Sequence, residues 1–246
     1  MKGFFKSILV VFFLLPFVFF GQEEKGYYKW FDQVIGHDHL ALHCGTQYID
    51  RETGRVYKGE HAFFKSDKSL LGTIYYDGQV YYDFHMKYNL ETDKLLIEVK
   101  GTSLSVLQLV SSKIEKFTIE GNNFIKIDRQ IDDRRINGFY ELLLEKESFQ
   151  LLKKHTATRI GRIDNVAGKN KLLVKFRKKS WHILNTKEGF LDIKSKVDIG
   201  RVYPHLRKEI KSFYREYQVL RNEEPDAFMK KLFYIIIQPS VLENEL

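Results

Sequence analysis

Short aromatic and β-branched runs, separated by tight-turn residues, fill the middle of this chain and restrict it to strands joined by hairpins. Gly72-Thr-Ile-Tyr-Tyr-Asp-Gly-Gln-Val-Tyr-Tyr82 is the clearest case. Asp77-Gly78 tolerates the positive φ angles of a two-residue turn, with Ile74–Tyr76 and Val80–Tyr82 as its arms. A turn over Asn89 to Asp93 leads from a strand through Phe84 and Met86 to Leu95–Val99. Phe117–Glu120 and Phe124–Ile127 flank a turn placed at Gly121-Asn-Asn123. Phe139–Leu144 and Phe149–Leu152 flank a bend at Glu145–Ser148. Turn signals this closely spaced leave no room for the crossover helices of a parallel sheet.

A further strand pair is expected at Lys171–Arg177 and Trp181–Leu184, with Arg177-Lys178-Lys179 at the turn between them. In the first arm Leu172, Val174 and Phe176 alternate with Lys171, Leu173, Lys175 and Arg177, giving one apolar and one mostly basic face. After Asp192 the apolar period lengthens to about 3.6. Pro204 suits a first helical turn, and Leu206, Ile210, Phe213, Tyr214 and Tyr217 make one stripe. Glu223-Glu224-Pro225-Asp226 starts a second helix with Phe228, Leu232 and Ile236 on one side, ended by Pro239. The expected class is mainly β (α+β): an antiparallel meander forming a curved sheet, a sandwich or a partly closed barrel, with C-terminal helices. Residues 22–200 form the β-rich domain, and helices within 201–240 pack on that same domain.

Residues 1–21 read as a signal peptide. Lys2 and Lys6 precede an unbroken apolar run from Ile8 to Phe20, and Gly21 leads into Gln22-Glu23-Glu24. As a helix the run spans about 20 Å, short of the ~30 Å hydrocarbon layer, and Pro16 interrupts it. The expectation is export to the periplasm or the outer membrane, or secretion, with no transmembrane span after cleavage. Cys44 is the single cysteine, so an internal disulfide is impossible, and a buried inert thiol is expected.

Charge is distributed unevenly. Residues 151–221 hold 19 Lys/Arg against 6 Asp/Glu, whereas residues 1–150 hold 19 against 21. Such a block attracts anions. In a cell envelope these are lipid and lipopolysaccharide head groups, acidic polysaccharides or an acidic envelope protein; export removes nucleic acid from consideration. The candidate anion-binding residues are Lys171, Lys175, Arg177, Lys178 and Lys179 on the strand pair, with Lys208, Lys211 and Arg215 on the following helix. The bland alternative is a charged face that serves solubility.

Metal and catalytic signatures are sparse. His37, His39 and His43 lie beside Asp38 and Cys44. An extended strand separates positions 39 and 43 by about 13 Å, too far for ligands that must converge at about 2.0–2.3 Å on zinc. They remain candidates only if the chain folds back. No Gly-x-Ser-x-Gly elbow, His-Glu-x-x-His helix, phosphate loop or dinucleotide-binding fingerprint occurs, and no cofactor is expected. Asp132-Asp133-Arg134-Arg135 reads as a solvated turn.

The order of several segments carries a resemblance. They are Gly45-Thr-Gln-Tyr48, Gly59-Glu-His-Ala-Phe-Phe64, Gly72-Thr-Ile-Tyr-Tyr-Asp-Gly78, Tyr88-Asn-Leu90, Phe117-Thr-Ile-Glu-Gly-Asn-Asn-Phe124 and Gly138-Phe-Tyr-Glu-Leu142. With the basic helix before a Phe/Tyr-rich C-terminus, the chain resembles a widespread family of secreted, β-rich proteins of unknown function from Bacteroidota. The resemblance runs from about residue 40 to residue 235. It departs at Asn89, where Asp is more usual, and at His43-Cys44 before Gly45. It implies export and a β-rich fold, and no catalytic residues. The function expected is a non-enzymatic accessory or binding module using the basic 151–221 region. The alternatives are a secreted hydrolase with dispersed carboxylates and histidines, and a small-ligand carrier with a β-barrel cavity.

Overall fold

The computed structural model describes residues 26, 42, 45–50, 55–57, 59–99, 105–131, 134–166, 169–187 and 189–237. Residues 1–21, where the sequence leads one to expect a signal peptide, lie outside them, as do His37, His39, His43, Cys44 and Asp132-Asp133. The described strands are β1 (Thr46–Gln47), β2 (Leu70–Tyr76), β3 (Gln79–Asn89), β4 (Lys94–Val99), β5 (Ser105–Gln108) and β6 (Ile114–Ile119). They continue with β7 (Asn122–Ile131), β8 (Arg134–Glu145), β9 (Phe149–Val166), β10 (Lys169–Thr186) and β11 (Phe190–Ile193). All join one antiparallel sheet in the order β1-β5-β4-β3-β2-β6-β7-β8-β9-β10-β11. The protein is mainly β, its single large sheet is not closed, and helices follow at the C-terminal end.

Local chemistry explains the hairpins. Asp77 and Gly78 both take positive φ, 53° and 77°, which the two-residue turn between β2 and β3 requires. Glu120 and Gly121 do the same, at 47° and 78°, so the β6–β7 turn sits one residue earlier than expected and Asn122-Asn123 open β7. In the β3–β4 turn Asn89 is buried, and its Oδ1 accepts hydrogen bonds from the Glu91 and Thr92 backbones. An amide closes that turn without the cost of burying a carboxylate.

Three register irregularities, at Gly72/Ile74, Tyr75/Tyr76 and Leu142/Leu144, add twist and curl the sheet. Gly72 sits where a Cβ would collide with the Thr118 carbonyl and the Met86 side chain. Inside the curl, Phe117 and Phe124 stack at 4.8 Å between centroids, and Tyr88, Phe139 and Phe64 meet them edge-on. These rings fill the interior and hold the two walls at fixed spacing.

Residues 55–57 and 59–64 strap the first half of the sheet to the second. Val56 bridges Val174 in parallel, and Phe63 bridges Asn89. Tyr57 N–H donates to the Val174 carbonyl, Val174 N–H to that of Arg55, and Phe176 N–H to that of Glu60. Leu90 N–H donates to the Ala62 carbonyl, and Ala157 N–H to that of Leu90. The end of β3 thereby reaches β9 and β10, although the sheet order places them far apart.

The helices are α1 (Lys196–Val202), α2 (Arg207–Glu216), α3 (Gln218–Glu223) and α4 (Pro225–Leu232), with a 3-10 turn at Pro204–Leu206 and a π-helical turn at Phe233–Ile237. Ser195 caps α1 in a capping box with Asp198. Ile210, Phe213, Phe228 and Leu232 are buried against Phe149, Leu151 and Leu184 of β9 and β10. The expected apolar stripe is therefore the docking face. Tyr140, Leu152 and Ile183 form a smaller cluster with Trp181 and Phe190. No described helix is long and apolar enough to cross a membrane.

Candidate functional site

β10 differs from expectation in one decisive respect. It is a single strand, and its register with β9 is unbroken from Lys169↔Val166 to Thr186↔Phe149. Arg177-Lys178-Lys179 is not a turn; it lies mid-strand, opposite Thr158, Ala157 and Thr156. Successive side chains therefore point to opposite faces. Val174 and Phe176 are buried on one face, while Lys175, Arg177 and Lys179 stand exposed on the other. Their cross-strand neighbours are Ile160, Thr158 and Thr156, none of them acidic. Among the described residues, none forms an ion pair with these three cations. Same-face neighbours on a strand are about 7 Å apart, so the cations make a row of about 14 Å.

Two other candidates do not belong to that row. Lys178 points the opposite way and donates to His61 Nδ1 at 3.2 Å, where the Phe63 N–H also donates. Burial lowers the pKa of His61, and the Lys178 cation lowers it further, so its imidazole is neutral at pH 7. Burial lowers the pKa of Lys178 as well. Lys171 is exposed and follows the row in parity, but faces Asp164, which holds Arg162 in an ion pair of 2.9 Å. Lys208, Lys211 and Arg215 are exposed on α2. That helix packs on the face to which Leu151 and Leu184 point, whereas Lys175, Arg177 and Lys179 have the other parity. The two basic rows are separate surfaces.

His61, but not Lys178, lines a cleft of about 580 Å³ at the strap, together with Tyr57, Phe63, Phe176, Asp67, Lys87 and Glu91 among others. Lys87 Nζ lies 5.4 Å from the Phe63 ring centroid. Sequence reasoning missed this cleft because its walls come from residues 48–50, 56–57 and 59–67 together with β3, the turn after it, β4, β5 and β10.

Three polar clusters are more buried. Asp93, in the β3–β4 turn, accepts from Lys154 Nζ at 3.0 Å, from the Phe139 N–H at 3.2 Å and from the Tyr88 hydroxyl. Burial and the adjoining Asp93 charge push the Tyr88 pKa far up, so its hydroxyl stays protonated. Lys154 also covers the Tyr140 ring at 4.6 Å, and burial lifts the Tyr140 phenol to about 12. Gly138 (φ 131°) leaves room for this contact, since a Cβ there would collide with Asp93 and Lys154.

Glu141 is buried and bonds His155 Nε2 at 2.6 Å and the Asn122 amide. Burial works to raise its pKa, but the two hydrogen bonds prevail and hold it low. Asp226, at the start of α4, receives Lys153 Nζ at 2.6 Å and His182 Nε2 at 2.8 Å. Burial opposes its ionisation, yet these two partners hold its carboxyl well below the usual range. Each carboxylate is saturated by fixed donors, an arrangement that joins elements of the fold. Among the described residues no group of three His, Cys, Asp or Glu side chains could hold a metal ion. Comparison with protein-family models, curated proteins and solved structures finds no match, and the functional reading is carried by the geometry of the β9–β10 face.

Proposed function

We propose that this chain is an exported, non-enzymatic binding module of the cell envelope that engages an anionic partner through the basic face of β9–β10. The observation that carries the reading is the exposed row Lys175, Arg177 and Lys179, set opposite Ile160, Thr158 and Thr156 rather than carboxylates. The paired strands fix the backbone spacing of these charges, so binding has to order the long side chains but not the chain beneath them. Export is supported by the charged, apolar and polar succession at residues 1–24. The row on α2 is a second, independent basic surface.

The test uses heparin as a soluble polyanion. The triple variant Lys175→Gln/Arg177→Gln/Lys179→Gln should bind about tenfold more weakly at low salt, since three exposed contacts contribute roughly 0.5 kcal/mol each. Wild-type binding should fall steeply between 0.1 M and 1 M salt, as the Debye length shrinks from about 10 Å to about 3 Å. The melting temperature should stay nearly unchanged. Equal affinity of the two proteins would remove the row from any binding role.

A second reading, a small-ligand site, is favoured by the cleft beneath the strap, where aromatic and charged side chains line one concavity.

A further inference from the structure

We infer that the far end of the β9–β10 ribbon docks on an anionic lipid surface, with Ile163 and Leu172 as its aliphatic anchors. The inference rests on the anion-binding reading above and names the class of partner.

The ribbon reaches beyond the sheet. β8 pairs with β9 only as far as Lys153, and the last backbone ties from other parts of the chain fall at Ala157, Val174 and Phe176. Among the described residues no third strand runs beside Thr158–Val166 or Lys169–Leu173. At 3.3 Å per residue the unsupported stretch of β9 is about 30 Å long.

Ile163 and Leu172 are direct cross-strand partners in this stretch, 69% and 49% exposed. The next residue of that face toward the body, Val174, is fully buried under the strap, so the pair is the first to emerge. Other exposed aliphatics, such as Val197 and Val219, stand on separate short helices, the ordinary condition of a protein surface.

Charge selects the occupant. Residues 156–179 contain eight Lys/Arg and one acidic residue, Asp164. A soluble polyanion or an acidic protein face would be matched by these cations alone and would leave Ile163 and Leu172 in water. A bilayer with anionic head groups offers negative charge at its boundary and hydrocarbon just beneath it. Arg162 and Lys171 adjoin the two anchors in sequence and point to the opposite face, so the ribbon can lower its aliphatic pair while long basic side chains stay at head-group level.

The chain without residues 1–21, the form that the proposed export leaves, is tested with vesicles of phosphatidylcholine containing phosphatidylglycerol, and in parallel with heparin. Ile163→Ser/Leu172→Ser should weaken vesicle binding by about tenfold or more and leave heparin binding unchanged, because only hydrocarbon contact is removed. The triple charge variant should weaken both. In Ile163→Trp, emission from the introduced indole should shift to the blue on anionic vesicles and be quenched by brominated acyl chains, with neither effect on heparin. A serine double variant that binds vesicles as wild type does, or an introduced indole whose emission vesicles leave unmoved, overturns the lipid inference while salt-sensitive heparin binding preserves the wider reading. Wild-type protein that binds neither probe overturns both. Because both anchors are exposed, melting temperatures of all variants should match wild type, which separates lost docking from lost folding.

Discussion

Replacing Asp93 by Ala is expected to destabilise the protein by about 3 kcal/mol, the largest effect anticipated for a single polar side chain here. The substitution removes a shared acceptor from three donors at once: the Phe139 N–H, the Tyr88 hydroxyl and the Lys154 ammonium, which keeps the Phe139 carbonyl but loses its counter-charge. Lys154 is only 12% exposed, so water cannot replace the carboxylate well. Urea unfolding at pH 7 measures the loss. Adding Lys154→Met should recover part of it, because the stranded charge is then gone and the methionine can still cover the Tyr140 ring. A single variant within about 0.5 kcal/mol of wild type would show the cluster to be dispensable. Gly138→Ala should act on the same cluster from the other side, since its methyl group needs the space that Asp93 and Lys154 occupy.

Asp226 gives the second large effect, expressed through pH. Its carboxyl titrates well below the usual range in the folded state, held there against burial by His182 and Lys153. A depressed carboxylate pKa contributes stability that is fully present above the unfolded value, near 3.9, and is lost as pH falls from there through the folded value. Docking of α4 onto β9 and β10 should therefore weaken below about pH 4 and be insensitive to this group near neutrality. Asp226→Asn should cost about 1–2 kcal/mol at pH 7, because a charged acceptor becomes a neutral one, and should flatten the acid limb of the stability profile. Denaturant midpoints for both proteins between pH 2 and pH 7 check this. Parallel acid limbs would assign the acid sensitivity to other groups, Glu141 with its His155 and Asn122 partners first among them.

Much of the fold was legible because its determinants are local. Asp77-Gly78 announces a hairpin by conformational preference alone, and the stripe through Ile210, Phe213 and Tyr214 announces the buried side of α2. The β6–β7 turn shifted by one position because Asn122-Asn123 carry the same turn propensity as the Glu120-Gly121 pair that makes it. The misplaced bend at Arg177-Lys178-Lys179 has a different origin. Three consecutive cations look like a bend, yet all three are exposed mid-strand, Arg177 and Lys179 on one face and Lys178, bonded to His61, on the other. That partner lies 117 positions away, and Lys154 and Asp93 are 61 apart. Contacts of this kind depend on the curl of the sheet, which arises from three irregularities in register. The exposed parity of Lys175 and Arg177 could be read from alternation; the cleft beneath the strap could not.

The strap formed by residues 55–57 and 59–64 also governs how the molecule can form. Its hydrogen bonds run to Val174 and Phe176, so the interior wall that it completes stays open until the last long hairpin exists. Contacts this distant in sequence make closure slow, since loop entropy must be lost before burial compensates for it. A nascent or translocating chain that has emerged only as far as β8 therefore presents Phe117, Phe124 and Phe139 along an unsealed trough. Under the export proposed above, this interval would be a period of dependence on holding factors, and the ribbon that finally seals the trough is the same element proposed to touch the membrane.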